Sequence, residues 1–332
     1  MINLGSNNYL GISLNDDIGE HSSSSRLISG NHTSYDTLEN ILASNHSHER
    51  ALVYPTGYMA VLGAITSLGA SNCTILSDQL NHASIIDGCR LSNSKIRIFE
   101  HNDMDDLRIK IRDIDTEDIL IVTEGIFSMD GDYSLLPEIV EVAEEHNAFI
   151  LLDDAHGDFV VGNGHGTAAE LSVEGTIYAT VSSLSKGLGA LGGYVSSNNE
   201  VADVQVNSSR PFVYTSALPQ GLICNAIRRL EMDLDLRRQQ LCRNVRRLSK
   251  GLESLGLCSG SQSHIIPIVI GDEQRAVRFA EKLAASDIYA KAIRYPTVPY
   301  NSARIRVSVT ATMSNQDIED ILSGFESAQR LT

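Results

Sequence analysis

The sequence lacks any apolar run long enough to cross a lipid bilayer, which takes roughly 18 to 20 residues. The first residues, MINLGSNNYLGISLNDD, also lack a basic segment followed by an apolar core, so we expect no signal peptide. Cysteines are few and dispersed, and no two form a C-x-x-C pair; they are Cys73, Cys89, Cys224, Cys242 and Cys258. Free thiols are typical of a reducing compartment, so we expect a cytoplasmic protein with no membrane partner.

Basic residues are also scarce relative to acidic ones. The chain carries 26 Lys and Arg against 42 Asp and Glu, a net charge of −16. Nucleic acids attract proteins with an excess of Lys and Arg, so we expect no nucleic-acid partner. A small anionic ligand is still compatible with this charge, because it needs only a local cluster of donors. The length of 332 residues and the apolar content of 42% indicate a globular chain of about two domains.

From about residue 50 the chain alternates strand patterns with helical patterns. Strands are predicted at 73–78, 95–100, 118–127, 148–156, 176–184 and 192–197. Most are too continuously apolar for a sheet with one wet face. Between two of them, apolar residues recur at helical spacing at Leu136, Ile139, Val140 and Ala143. The alternation predicts an α/β fold with a mostly parallel central sheet covered by helices.

The pattern changes near residue 220, which predicts a domain boundary. Residues 224–256 are rich in Arg and predict one or two long helices, and shorter strand and helix patterns follow. We therefore expect an N-terminal segment and a large domain over 1–222. Linking helices and a small C-terminal α+β domain would occupy 223–332.

Three short patterns invite other interpretations. The G-x-G-x-x-G at 187–192 matches a dinucleotide fingerprint, but the next residues continue as a strand where the fingerprint needs a helix. The S-x-x-K at Ser183 lacks the partner motifs of penicillin-binding enzymes. His46 and His48 have no further metal ligands nearby, so we expect them in a solvated loop and expect no metal site.

Polar side chains follow the predicted strands, where an open parallel sheet places its ligand crevice. Two neighbouring strand ends carry Glu124, Ser128, Asp130, Asp153, Asp154 and His156. Lys186 follows the next strand, and an amine near a buried carboxylate suggests Schiff-base chemistry. Gly57 begins a helix whose N–H groups suit a phosphate, and His82 follows another strand.

In their joint order these residues resemble the α-oxoamine synthases, enzymes of fold type I that use pyridoxal 5′-phosphate (PLP). The resemblance spans nearly the whole chain. It rests on SNNYLG (6–11), SRLISG (25–30), PTGYMA (55–60), NHAS (81–84), TEGIFSMDGD (123–132), DDAHGDFVVG (153–162), SSLSKGLGALGGY (182–194), RPFVYTSALP (210–219) and IRYPTVPYNSARIRVSVT (293–310). The order of these motifs is more specific than any one of them.

The resemblance implies a PLP site in the large domain. Lys186 would bind the cofactor as a Schiff base and then remove the substrate Cα proton, while Asp153 would keep the pyridine nitrogen protonated. His82 would lie over the ring, and His156 and Ser128 would contact the ring hydroxyl. Contacts to the phosphate are implied for Gly57, Tyr58, Met59 and Ser183, with Thr215 and Ser216 donated across the interface of a homodimer.

The resemblance also implies the substrates and the reaction. Arg306 would bind the carboxylate of an amino acid as a bidentate partner, with Asn8 and Tyr9 nearby. The amino acid would condense with an acyl-CoA, and loss of CoA and CO2 would leave an α-amino ketone. Residues 294–299 resemble members that join L-alanine to pimeloyl-CoA in biotin biosynthesis. Members that join glycine to acetyl-CoA are the alternative, and members that use succinyl-CoA or palmitoyl-CoA come after them. Further alternatives are another fold-type-I aminotransferase or lyase and a non-catalytic PLP-binding subunit.

The sequence departs from the family pattern at several positions. Four serines at 22–25 replace a glycine-rich segment, Tyr35 stands where a histidine is usual, and Met313 stands where T-A-x-H is common. The chain also begins close to the segment at 6–11, ahead of which members usually carry a helix. None of these departures removes a predicted PLP-binding residue, so we expect them to bear on the acyl substrate.

Overall fold

The structure, a computed structural model, describes residues 1–12, 24–258 and 261–330. Its strands are β1 (Ile2–Asn3), β2 (Arg50–Tyr54), β3 (Cys73–Asp78), β4 (Lys95–Phe99), β5 (Asp118–Glu124), β6 (Phe149–Asp153), β7 (Ala179–Ser183), β8 (Gly193–Ser197), β9 (Ile265–Gly271), β10 (Ile288–Tyr289), β11 (Ala292–Ile293) and β12 (Ala303–Ser308). Its α-helices are α1 (Thr33–Asn45), α2 (Gly57–Leu68), α3 (Ala83–Leu91), α4 (Met104–Arg112), α5 (Leu136–His146), α6 (Thr167–Glu170), α7 (Asn199–Ser208), α8 (Arg210–Val213), α9 (Gln220–Leu230), α10 (Asp235–Ser254), α11 (Glu273–Ala285) and α12 (Asn315–Arg330). No helix within these three ranges has the length and apolarity needed to cross a membrane.

The described residues form two compact units. The larger unit contains Ile12–Phe127 and Tyr133–Met232, and the smaller unit contains Met1–Gly11, Ser128–Asp132 and the residues from Asp233 onward. These units differ from the predicted division at 222/223, which falls inside α9. The N-terminal residues join the smaller unit because β1 pairs in parallel with β10, a long-range contact that local patterns do not indicate.

A seven-stranded sheet organises the larger unit. Its strand order is β2-β8-β7-β6-β5-β3-β4, and β8 runs antiparallel to both of its neighbours. The sheet is therefore mostly parallel, which confirms the predicted fold class. Every residue of β3, β7 and β8 is buried, as their continuous apolar patterns predict.

Helices cover both faces of this sheet. Helices α2, α3 and α7 bury apolar residues against one face, and α4 and α5 bury theirs against the other. The helical spacing that begins at Leu136 is confirmed by α5, in which Leu136 and Ile139 are fully buried and Pro137 lies in the first turn. Packing on both sides explains why the central strands show no alternation of apolar and polar residues.

Two central strands end earlier than predicted. The patterns extend to residues 127 and 156, but β5 ends at Glu124 and β6 ends at Asp153. At that point Gly125 N–H donates to the Asp153 carbonyl, and Asp154 N–H donates to the Val181 carbonyl. The polar residues that follow are thereby placed in loops at the carboxyl edge of the sheet.

The smaller unit has the expected α+β character. A three-stranded antiparallel sheet of order β11-β12-β9 packs with α11, and α12 packs with α10 and α11. The Arg-rich segment forms two helices, α9 and α10, of which α10 belongs to this unit.

Candidate active site

The larger unit brings three of the predicted catalytic residues together at one edge of its sheet. Lys186 lies in the loop between β7 and β8, and its Nζ is 2.9 Å from Nε2 of the buried His156. His156 lies in the turn after β6, whose last residue is Asp153. Strands β6 and β7 are adjacent and parallel, so their carboxyl ends place both loops at the same edge.

His82 belongs to the same group of side chains. It precedes α3, where its Nδ1 accepts the Ser84 N–H at 3.2 Å, and its ring meets the Tyr58 ring edge-on at 6.4 Å. Partial desolvation lowers the pKa of this exposed imidazole. The Asp153 carboxylate opposes that pKa shift and the Lys186 charge adds to it, so both groups lie within electrostatic range. The imidazole is therefore neutral near pH 7.

The N-terminus of α2 forms a concave backbone surface beside β7. Thr56 caps the helix by accepting the Met59 N–H at 3.2 Å, so Gly57 and Tyr58 carry the two remaining N–H groups of the first turn. A Cβ on Gly57 would lie 2.8 Å from the Cβ of Ser183, so this approach requires glycine. Two backbone donors and the Ser183 hydroxyl suit a phosphate, which a helix N-terminus attracts.

Other members of the predicted strand-end cluster have structural partners instead. Asp154 is buried, and its carboxyl accepts the Thr167 N–H at 2.7 Å and the Thr167 hydroxyl. Burial, and next the charge of Asp158, raise the pKa of Asp154 to about 7. Glu124 is buried beside Asp153 in the sheet register. Asp130 forms an ion pair with Arg304 in the smaller unit.

In the smaller unit, Arg306 on β12 is held by uncharged groups. Its guanidinium donates to the Ser128 carbonyl, to Asn7 Oδ1 at 3.1 Å and to Ser308 Oγ at 2.7 Å. The Tyr9 hydroxyl lies 3.4 Å away, and burial raises the pKa of Tyr9 to about 12 despite the Arg306 charge. None of these partners is a carboxylate, so they leave the guanidinium suited to an anionic ligand.

Asn7 is a hydrogen-bond partner of Arg306 that the sequence pattern misses. Asn7 Oδ1 accepts from both Arg306 and the Tyr9 hydroxyl, the latter at 3.1 Å. The predicted Asn8 is half-buried, and its backbone N–H donates to Ser6 Oγ. In the sequence, only the pair of asparagines before Tyr9 points to a role for Asn7, since neither Asn7 nor Asn8 belongs to a helical or strand-like apolar pattern.

The remaining predicted site residues, Thr215 and Ser216, lie outside the regular elements. Thr215 is half-buried and Ser216 is exposed, in the segment between α8 and α9, where both line a small cleft with Phe212. Tyr35 is a core residue whose hydroxyl accepts the Leu218 N–H at 2.7 Å.

The structure also places two further departures from the family pattern, Met313 and part of the serine run at 22–25. Met313 is buried, and its carbonyl accepts from Asn244 at 3.0 Å. Of the serine run, residues 22 and 23 lie outside the described residues, and the Ser24 carbonyl accepts the Ala217 N–H at 2.9 Å.

The expectation of a solvated loop at His46 and His48 is wrong. His46 is buried, with its Nε2 2.6 Å from the Tyr194 hydroxyl, and His48 is half-buried against Ser196 and the Ile177 carbonyl. Both follow α1, which packs beside β2, so the chain there is covered by the sheet. Among the residues that the structure describes, no group of His, Cys, Asp or Glu side chains could hold a metal ion.

Comparisons with known proteins cover nearly the whole chain. The aminotransferase class I and II family model matches residues 1–325. An 8-amino-7-oxononanoate synthase of Thermoanaerobacter pseudethanolicus is 37% identical over 98% of this chain and 87% of the relative. Another of that name, from Lysinibacillus sphaericus, is 39% identical over 96% and 86%.

Solved structures show the same architecture. Serine palmitoyltransferase of Sphingomonas wittichii has a TM-score of 0.95 and 34% identity, covering 99% of this chain and 87% of that one. A serine palmitoyltransferase solved with PLP has a TM-score of 0.95 and 31% identity with the same coverage.

Proposed function

The chain belongs to the aminotransferase class I and II family and, within it, to the α-oxoamine synthases, and we propose that it joins L-alanine to pimeloyl-CoA. The products would be 8-amino-7-oxononanoate, CoA and CO2. The observation that carries the chemistry is the pairing of Lys186 with His156 at 2.9 Å, beside the end of the strand that carries Asp153. The relatives named 8-amino-7-oxononanoate synthase, at 37% and 39% identity, support this choice of substrates.

The residues present fit PLP. Gly57, Tyr58 and Ser183 offer donors for its phosphate at a helix N-terminus where a Cβ would not fit. Asp153 offers a carboxylate for the pyridinium nitrogen, and Lys186 offers an amine for the aldehyde. When bound, PLP supplies an electron sink for the negative charge that develops on the substrate Cα.

The protein residues then divide the remaining tasks. Lys186 Nζ takes the proton from the substrate Cα, and His156 Nε2 holds that amine in place through the contact at 2.9 Å. Asp153 keeps a proton on the cofactor ring nitrogen. His82, neutral near pH 7, offers an uncharged ring face to the cofactor.

We further propose Arg306 as the group that binds the α-carboxylate of the amino acid. Its planar fork matches a carboxylate, and Asn7 and Ser308 fix its orientation through neutral contacts. Ser128, Asn8 and Tyr9 remain proposed contacts of the bound molecules.

A substrate panel tests the function. Purified enzyme with PLP is incubated with alanine, glycine or serine, each against pimeloyl-, acetyl- and palmitoyl-CoA, and released CoA is measured. We expect turnover with alanine and pimeloyl-CoA. Serine with palmitoyl-CoA is the second candidate, favoured by the similarity to serine palmitoyltransferase. Activity confined to that pair, or to glycine with acetyl-CoA, would overturn the proposal.

We also propose a cytoplasmic homodimer in which Thr215 and Ser216 complete the partner's cofactor site. The exposure of Ser216 supports shared sites, and the dispersed cysteines, which include no C-x-x-C pair, support a reducing compartment. Mixing Lys186→Ala protein with a Thr215→Ala/Ser216→Ala double variant should restore turnover that neither has alone. Failure to restore turnover, with a monomeric mass in light scattering, contradicts shared sites.

A further inference from the structure

The turn that carries His156 is held at both of its ends by the buried carboxyl groups of Asp154 and Asp158. The Asp154 carbonyl accepts the N–H groups of Gly157 at 3.1 Å and Asp158 at 2.9 Å, so residues 154–158 form one compact turn around His156. At the first end, the Asp154 carboxyl is bound by the N–H and the hydroxyl of Thr167. What fixes the second end of the turn therefore also bears on the orientation of His156.

The second end is fixed by Asp158 and three donors from other elements. Tyr194 on β8 donates its hydroxyl to Asp158 Oδ2. His46 Nε2 lies 3.4 Å from Asp158 Oδ1 and 2.6 Å from the Tyr194 hydroxyl. Asn45, the last residue of α1, donates to Asp158 Oδ1 at 3.3 Å. Asp158, Tyr194 and His46 are 1%, 0% and 6% exposed, so these contacts are shielded from water.

The pKa shifts of His46 and Tyr194 are those expected for two donors beside a charged Asp158. Burial alone would lower the pKa of His46, but the charge of Asp158 and its hydrogen bond raise that pKa above its ordinary value. Burial and the neighbouring Asp158 raise the pKa of Tyr194 far above its usual range, so Tyr194 remains a donor. A buried carboxylate without such partners would be costly, and removing one donor should loosen the turn.

The turn also contacts the lysine loop at a second point. A Cβ added to Gly187 would lie 2.7 Å from the Asp158 carbonyl, so the residue after Lys186 packs directly on the end of the turn. Phe159, which follows Asp158 in the chain, is buried with a φ of +64°, a backbone conformation that bulky residues avoid. Such a conformation persists only where surrounding contacts impose it.

We infer that Asp158, through its contacts with His46 and Tyr194, is a positioning residue that holds His156 against Lys186. The proposed amine chemistry needs the imidazole within hydrogen-bond distance of Nζ, and a displacement of about 1 Å can cost on the order of a hundredfold in rate. This inference rests on the proposed cofactor site, but it is independent of which acyl-CoA is used.

The test compares Asp158→Asn and His46→Gln with His48→Gln as a matched control. His48 is two residues from His46 and bonds to Ser196 Oγ at 3.0 Å, outside the turn. Amide hydrogen exchange over residues 154–161 is followed in the cofactor-free protein. In the PLP-loaded enzyme, kcat and KM for the amino acid are measured.

We expect about tenfold faster exchange in this segment and about a tenfold lower kcat for both variants, with KM changed less than about threefold. The control should match the wild type. Unchanged exchange and kcat, or a rise in KM alone, would overturn the positioning role. Tyr194→Phe replaces Asp158→Asn if the latter does not fold. A wild-type protein that takes up no PLP defeats the proposed function instead, while the exchange measurement still tests the turn.

Discussion

The Nζ of Lys186 and the Nε2 of His156 lie 2.9 Å apart, on loops that follow two adjacent parallel strands. His156 is buried and Lys186 is half-buried, so their contact is partly protected from water. An amine in this position has a fixed direction of approach, which a flexible lysine lacks in solution. The sheet register, rather than local sequence, creates that direction.

Replacement of this lysine should remove the cofactor linkage. Wild-type protein mixed with PLP should develop an absorbance band near ~420 nm, and Lys186→Ala should show neither that band nor turnover above background. Lys95→Ala is the control, because Lys95 is exposed and pairs with Asp115 on the surface. A band of full height in Lys186→Ala protein would assign the linkage to another amine.

The approach of α2 to β7 predicts that even one added methyl group disturbs phosphate binding. The Cβ of Gly57→Ala would stand 2.8 Å from that of Ser183 and displace the first helical turn. Losing one charged hydrogen bond weakens binding by about tenfold or more, so we expect that loss in a PLP titration. Gly175→Ala is the matched control, since nothing lies within 4 Å of its added Cβ. Equal affinities for PLP in the two variants would place the phosphate elsewhere.

The neutral surroundings of Arg306 predict a specific defect in amino-acid binding. Arg306→Lys keeps the charge but loses the planar fork and the contacts to Asn7 and Ser308. We expect KM for alanine to rise by about tenfold to a hundredfold, with KM for the acyl-CoA nearly unchanged. Arg247→Lys, in an exposed ion pair with Glu319, serves as control. An equal rise in both KM values would show that Arg306 does not bind the amino acid specifically.

The sequence predicts six of the seven strands of the large sheet, all except β2, and it predicts the strand-end residues, because both depend on local patterns. Continuous apolar runs identify β3, β5 and β6, and polar residues directly after β6 identify the turn of Asp153 and His156. By contrast, the burial of His46 depends on Tyr194, which is 148 residues away. Asn7 meets Arg306 across 299 residues, so no local pattern separates it from Asn8. Contacts of that range require the assembled fold.

The half-buried His48 predicts a loss of stability in acid. Burial lowers its pKa from 6.5 to about 4, although the bond to the Ile177 carbonyl opposes this. The folded state therefore favours the neutral ring, so this contribution is complete above pH 6.5 and is lost as the pH falls toward 4. His48→Gln should flatten the fall in Tm over that window relative to the wild type. Parallel Tm curves for the two proteins would contradict the lowered pKa.

The raised pKa of Asp154 predicts a loss of stability as the pH rises, the opposite direction to that of His48. Burial, and next the charge of Asp158, raise its pKa from 3.8 to about 7, so the folded state favours the protonated carboxyl. That contribution is complete below pH 3.8 and is lost as the pH rises through about 7. Asp154→Asn can still accept the Thr167 N–H and can donate to its hydroxyl, but it does not titrate. Its Tm should therefore fall less than that of the wild type between pH 5 and pH 8. Parallel Tm curves for the wild type and the variant over this range would mean that Asp154 is ionised throughout.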